Sequence, residues 1–161
     1  MEKQITTRRA EESDLKTVQD FGYKLLEFER QNWDSSLDPN WPYSETAAKK
    51  YLEAIKSDYV VFPEIDGKPV GFLIGKVIET QADDARHIKR ARLENIYIDE
   101  EARNAGVGAK TFEAFRNYCK KEGVSRMDVS VLADNDSAVD FYKKMNFRPR
   151  SINLSQDIED E

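Results

Sequence analysis

Two apolar runs, YVVFPEI and PVGFLIGKVI, stand on either side of the turn DGKP between Tyr59 and Ile78. Runs this apolar have little polar surface to present to water, so strands made from them need cover on both faces. An Asp-Gly turn joins them as antiparallel neighbours. The spacing therefore predicts a hairpin in the middle of a sheet.

The rest of the chain supplies strands and helices around it. Residues 3–9 read as a strand, and Ser13 reads as the cap of a helix from Asp14 to about Arg30 with Leu15, Val18, Phe21, Leu25 and Phe28 on one stripe. The proline-bearing loop NWDSSLDPNWPY ends it, and Ser44 starts a second helix reaching about Lys56. After the hairpin, RARLENIYID reads as a strand, followed by a helix from Gly108 to about Glu122 that carries Phe112, Phe115 and Cys119 and stops at Gly123. A strand at MDVSVL, a helix from Asn135 to Met145 and a last strand within FRPRSINLSQ complete the order. This is an α+β pattern with a mixed sheet, and any parallel crossover near its end should be right-handed. No repeat or linker interrupts residues 1–161, so one domain is expected.

Composition narrows the chemistry. With 35% charged and 11% aromatic residues the chain reads as a soluble globular protein, and a formal net charge of −6 argues against nucleic acid as partner. The single cysteine, Cys119, leaves no intrachain disulfide and no multi-cysteine zinc site, and one histidine, His87, offers little to a metal; no metal is expected. The opening MEKQITTRRAEESDL has no apolar segment, and no run approaches a membrane span, so a cytoplasmic protein with no membrane partner is expected. Cys119 reads as core, and His87, in QADDARHIKRAR, as solvated.

The segment RNAGVGAKT, Arg103 to Thr111, invites a phosphate-binding reading. It is not a nucleoside-triphosphate loop: Ala109 stands where that motif needs a glycine before Lys110, and Asn104 stands where it needs its first glycine. It is not a dinucleotide fingerprint either, because Thr111 occupies the third glycine position after Gly106 and Gly108. What remains is Arg-x-x-Gly-x-Gly between a strand and a helix.

Two stretches, LENIYIDEEARNAGVG and NDSAVDFYKKMNF, separated by one helix and one strand, resemble the paired signatures of the GNAT acetyltransferases, and the resemblance extends over nearly the whole chain. It implies a mostly antiparallel mixed sheet splayed in the middle and flanked by about four helices. It implies acetyl-CoA as acetyl donor, with Asn104, Ala105, Gly106, Val107, Gly108 and Ala109 around its pyrophosphate and Arg103 shaping the loop. Backbone N–H groups and a helix N-terminus carrying about half a positive charge bind such a group without lysine or magnesium. Glu100 and Ala105 depart from a frequent proline and a frequent basic residue of the family.

By the same resemblance, backbone donors of Ile96, Tyr97 and Ile98 face the acetyl carbonyl, Asn135 and Ala138 lie along the pantetheine arm, and Tyr142 protonates the departing thiolate. A phenol of pKa near ~10 donating to a thiolate whose thiol sits near ~8.5 is a modest mismatch. Tyr142 also fits a plain core aromatic, and Asn135 a plain helix cap. Glu94 is the candidate base, set among apolar strand neighbours that would raise its carboxyl; a glutamate paired with Arg92 is the alternative. Ser130 stands where other relatives carry a glutamate, which leaves Asp128 as reserve.

The acceptor is expected to be a small-molecule or peptide amine, cationic and with an apolar body. Residues 28–43 carry Glu29, Asp34 and Asp38 against Arg30, and Trp33, Trp41 and Tyr43 offer cation–π faces or simply anchor the loop. A homodimer stays open, as does a noncatalytic acyl-CoA-binding module of the same fold.

Overall fold

β2 (Tyr59–Ile65) and β4 (Gly71–Thr80) pair antiparallel through Tyr59↔Gly75 and Val61↔Leu73, in the middle of a sheet ordered β1-β2-β4-β5-β6. β1 (Ile5–Arg9) flanks β2, the two-residue β3 (Lys68–Pro69) also pairs with β2, and β5 (Ile88–Ile98) flanks β4, all antiparallel. β6 (Arg126–Val129) joins β5 in parallel. In this computed structural model residues 3–80 and 86–158 are described. Parts of the charged segment QADDARHIKRAR and of the acidic tail lie outside them. The chain forms two compact units, Met1–Ser130 and Val131–Glu161. Altogether the described residues hold six strands and four helices, an α+β fold with a mostly antiparallel mixed sheet.

Alternation along the strands divides the sheet into two faces. Val60, Phe62, Phe72 and Ile74 meet α1 (Leu15–Asn32) and α2 (Glu45–Ser57) in a core with Val18, Phe21, Ala47 and Tyr51. On the other face, Tyr59 and Gly75 meet α3 (Val107–Lys121), with Phe115 5.3 Å from the Tyr59 ring. Gly75 exists for that contact: a Cβ there would run into the Phe115 ring.

Helix ends follow local chemistry with one exception. Ser44 accepts the Ala47 N–H at 3.1 Å and so caps α2, and Gly123, at φ 73°, follows α3. Ser13 caps nothing. The chain enters α1 through a short 3-10 turn, Glu12–Asp14, because the Asp14 carboxylate takes the Glu11 N–H (2.8 Å) and the fork of Arg8 (2.9 and 3.1 Å). Arg8 also reaches Glu64 at 2.8 Å, tying α1 to β1 and β2.

In the second unit, α4 (Asp136–Lys144) is capped by Asn135. The last expected strand does not form: residues 148–158 have no regular structure, and Ile152 and Leu154 are 84% and 87% exposed. Alternation alone made FRPRSINLSQ strand-like, but a strand exists only through a ladder with a neighbour.

Two outcomes follow. Gly75→Ala overpacks the α3 face and lowers unfolding free energy by about 1–3 kcal/mol. Urea denaturation measures it, and adding Phe115→Leu recovers part of the loss. The Arg8 hydrogen bond is the main reason the Asp14 carboxyl is held below its ordinary range. A depressed folded pKa stabilises the fold above the unfolded aspartate value of about 3.9 and loses that contribution as pH falls through the folded value. Asp14→Asn should therefore flatten the acid side of the Tm profile below about pH 4.

Candidate active site

The apolar positions of β5 change parity. Ala91 and Leu93 are buried on the α3 face, yet farther along it is Ile96 and Ile98 that pair with Leu73 and Gly71. The switch is a β-bulge: Ile74 pairs with Asn95 and Gly75 with Leu93, which leaves Glu94 as the extra residue. The parallel ladder to β6 also ends there, with Leu93↔Val129 as its last pair. Beyond this point β5 has β4 on one side and, among the described residues, no ladder on the other.

The bulge determines which backbone groups look into the opening. Ser125 N–H donates to Lys89 C=O at 2.9 Å, so odd residues before the bulge face β6. Asp99 N–H donates to Val70 C=O at 2.8 Å, so odd residues after it face β4. Ile96 and Ile98 therefore turn their N–H groups toward the opening. Tyr97 does not; its backbone belongs to the β4 ladder, and its ring packs 6.4 Å from Phe21. Of the three backbone donors expected from the sequence, those of Ile96 and Ile98 point to the side that β6 leaves open and that of Tyr97 lies in the β4 ladder.

Glu94 is exposed at the bulge, not enclosed by apolar neighbours. Its position beside the opening comes from the bulge, a feature that also re-aims side chains next to sites. Asp128 is half-buried, with one oxygen 3.8 Å from Arg126 Nε, and Ser130 is exposed just past β6.

The loop after β5 is built around Arg103. Its Nε donates to Ile98 C=O at 2.8 Å, and its guanidinium carbon lies 5.0 Å from the Phe28 ring centre and 5.4 Å from that of Tyr97. Lys24 of α1 reaches Asp99 at 2.8 Å. Thus two cations pin the C-terminal half of α1 to the end of β5. Burial pushes the Tyr97 phenol up, and Arg103 opposes that shift.

Asn104 and Gly106 then adopt left-handed φ values of 61° and 78°. A Cβ on Gly106 would meet nothing within 4 Å, so glycine serves the backbone angle there and the loop's outer side is open. α3 begins at Val107 without a side-chain cap, and its first bond is Lys110 N–H to Gly106 C=O at 3.1 Å. The N–H groups of Val107, Gly108 and Ala109 thus have no intrahelical acceptor. The Lys110 ammonium is bound to Ile5 C=O of β1, far from the role a nucleoside-triphosphate loop would give it.

The acceptor-side candidates divide. α1 runs to Asn32, so Phe28 and Glu29 are helical. The Trp33 ring meets Phe28 edge-on at 5.2 Å, and Trp33 N–H and Asp34 N–H donate to Glu29 C=O. Burial first, then Asp34, pushes the Glu29 carboxyl up, whereas hydrogen bonds from Ser36 hold Asp34 low. Trp41 belongs to a separate cluster, edge-on to Tyr51 at 6.1 Å with Lys50 Nζ 5.6 Å from its ring. Tyr43 bonds Asp20 at 2.7 Å under Lys16. Both rings already face cations of the chain itself.

In the second unit, Asn135 Oδ1 accepts Ala138 N–H at 3.1 Å. Tyr142 is buried between Phe141 and Phe147, at 5.4 and 5.5 Å. Cys119 is core, and burial followed by Glu122 pushes its thiol to about 11, which leaves it inert as a nucleophile. His87 is exposed, 4.0 Å from Glu79. Among the described residues no group of three His, Cys, Asp or Glu side chains is arranged to hold a metal, and no helix is long and apolar enough to cross a membrane.

The bulge and the Arg103 clamp escaped sequence reasoning, although the parity switch from Ala91 and Leu93 to Ile96 and Ile98 was its visible signal. Arg103→Gln keeps a donor for Ile98 C=O but removes the charge over two rings. It should cost about 1–2 kcal/mol. With Trp41→Phe as background, a red shift of Trp33 emission would show that the end of α1 has loosened.

Comparison with known proteins bears on the same elements. A family model described as the acetyltransferase (GNAT) family matches residues 24–147. An uncharacterized N-acetyltransferase of Methanocaldococcus jannaschii is 24% identical over 93% of this chain, which spans 63% of that protein's length. The fold is shared with a mutant Bacillus halodurans protein (TM-score 0.86, 19% identity, covering 96% of this chain and 99% of that one). It is shared also with an aminoglycoside N-acetyltransferase in complex with CoA (TM-score 0.72, 15% identity, 97% of each chain). With its matched region running from the middle of α1 through the bulged strand and glycine loop to the end of α4, the chain belongs to the GNAT acetyltransferase family.

Proposed function

We propose that the protein is an N-acetyltransferase that moves the acetyl group of acetyl-CoA onto a primary amine by direct attack within a ternary complex. The observation that carries this reading is the end of the β5–β6 ladder at Leu93 and Val129, beside a strand whose next outward N–H groups are those of Ile96 and Ile98. Polarised donors in a fixed position stabilise negative charge developing on a carbonyl oxygen.

The residues present suit a pyrophosphate. Left-handed backbone at Asn104 and Gly106 lets successive N–H groups converge, the uncapped α3 terminus adds three more, and nothing fills the space beside Gly106. In this reading Asn104 to Ala109 hold that group and Arg103 keeps the loop in shape. Asn135 and Ala138 lie along the pantetheine arm, which leaves the Asn135 amide N–H₂ for contact because its oxygen already caps α4.

Transfer forms a C–N bond as the thioester C–S bond breaks, so one proton must leave the amine and one must reach the thiolate. Glu94, exposed at the opening, takes the first, directly or through water. Tyr142 gives the second. Glu29, Trp33 and Asp34 favour an acceptor with positive charge and an apolar body: a cation beside the half-buried Glu29 relieves the burial that raises its carboxyl. Aminoglycoside acetyltransferases share the fold, which is consistent with a small polyamine-like acceptor. Trp41 was grouped with these residues on sequence, but its ring is engaged by Lys50 and Tyr51 and it has no part in this reading.

The noncatalytic acyl-CoA-binding alternative draws on Ser130, an exposed hydroxyl where relatives carry a carboxylate. Thiol release from acetyl-CoA over an amine panel, in EDTA, separates the two. Saturable release is expected, with Tyr142→Phe lowering kcat about 10²-fold at unchanged CoA affinity. Glu94→Gln should displace the acidic limb of the pH–rate profile. CoA binding without release from any amine establishes the alternative, and failure to bind CoA refutes both.

A further inference from the structure

Arg90 and Arg126 sit side by side in the parallel β5–β6 register, two pairs before Arg92 and Asp128 are matched. Cross-strand pairing fixes their face. Arg90 and Arg92 oppose Ile78 and Lys76 of β4, which alternate in step with Ile74 and Phe72, so all lie on the α1–α2 side of the sheet. Arg126 and Asp128 share that side as register partners. Three guanidinium groups and the Lys76 ammonium therefore share one strip, in which Asp128 is the carboxylate matched on β6 and Asp58 interacts with Lys76.

That strip is electrostatically incomplete. Arg90 Nε and Arg126 Nε and Nη2 are buried with no hydrogen-bond partner, and the Asp128 oxygen is 3.8 Å from Arg126 Nε, beyond hydrogen-bonding reach. Buried donors are ordinarily satisfied, and like charges on adjacent strands repel. Folding alone gives no reason to keep two such residues as partners on strands about 4.8 Å apart. An oxyanion gives one, because carboxylate and phosphate accept the forked donors of arginine in pairs. The Arg126 side chain remains 26% exposed, so part of it borders solvent while Nε and Nη2 are covered.

We propose that Arg90 and Arg126, flanked by Arg92, form an oxyanion-binding site for a carboxylate or phosphate group carried by the acceptor. This rests on the acetyltransferase reading above. The site lies on the face bearing Tyr97 and α1, and the ladder opens immediately past Leu93. With the bulge taking up one residue, Arg92 and Arg90 lie three and five strand steps from Ile96, roughly 10 and 16 Å at about 3.3 Å per step. An amine at the opening and an anion at the arginines thus require an acceptor several bonds long. A short peptide with an acidic side chain or carboxylate some three or four residues from its amine fits, whereas a single amino acid does not. The positive end of such an acceptor meets Glu29 and Asp34, and its negative end meets the arginines.

The test has two arms. In the first, inorganic phosphate is titrated into protein saturated with coenzyme A, at constant ionic strength, and Tm is followed. Wild type should gain several degrees by mass action, and Arg90→Gln/Arg126→Gln should gain none. Without phosphate the double variant should melt at or above wild type, since removing unsatisfied buried charges relieves strain on the fold. Arg126→Lys, which keeps charge but not the fork, should respond only in part. Equal phosphate responses in wild type and double variant, or a double variant that melts well below wild type, overturns the proposal; the latter would make the arginines structural.

In the second arm, amine peptides with a glutamate three or four residues from the amine are compared with their glutamine isosteres. The acidic peptides should have at least tenfold higher kcat/KM, and the double variant should erase that preference while acetylating the isosteres as before. Arginine-dependent phosphate binding with no acceptor preference overturns the assignment to the acceptor and makes the ligand a free anion. Arginine-dependent phosphate binding with no acetylation of any amine leaves the oxyanion site standing and defeats the acetyltransferase reading instead.

Discussion

Without the extra residue at Glu94, unbroken alternation along β5 would turn the Asn95 and Tyr97 N–H groups outward and send Ile96 and Ile98 to the α1–α2 face. The bulge reverses both. It leaves Ile96 and Ile98 apolar against the α3 side while their backbone donors point where β6 has already ended. A ladder that continued would consume those donors; one that ended without the parity shift would present the wrong ones. Gly75, opposite Leu93 at the bulge, keeps the distorted segment against α3 by letting the Phe115 ring lie directly on its backbone.

Around that break, the protein spends its charges on connecting elements. Arg8 joins β1 to Asp14 and Glu64, and Lys24 and Arg103 join α1 to the end of β5 and its loop. Arg103 connects the most, because one side chain touches Ile98 C=O at the opening and Phe28 beside Trp33 from the start of the glycine loop. The loop that would hold the donor and the helix end that would meet the acceptor are therefore mechanically adjacent. Arg90 Nε and Arg126 Nε and Nη2 stand apart from this pattern, since they have no hydrogen-bond partner among the described residues.

Much of this was legible because it is local. DGKP between two apolar runs specified the central hairpin, Ser44 and Asn135 specified two helix starts, and Gly123 followed α3 as read. The glycine loop could be separated from nucleotide motifs by position alone, and Lys110 bound to β1 is consistent with that separation. Ser13 misled because the chain enters the first helix through a 3-10 turn held by the Asp14 carboxylate, which takes the Glu11 N–H and the fork of Arg8 from β1. FRPRSINLSQ misled because alternation describes a residue's two sides, and no neighbour pairs with it among the described residues.

The sequence by itself determined the family and the order of elements as far as the last helix, since each depends on short-range spacing or on backbone angles that one or two residues dictate. Tertiary structure alone decided that Ile96 and Ile98 but not Tyr97 face the opening, that Trp33 sides with Glu29 while Trp41 packs under Lys50, and that Arg90 lies beside Arg126. These are matters of register between segments distant in the chain. Register is settled by which faces the whole sheet can bury at once, a quantity no single stretch of sequence contains.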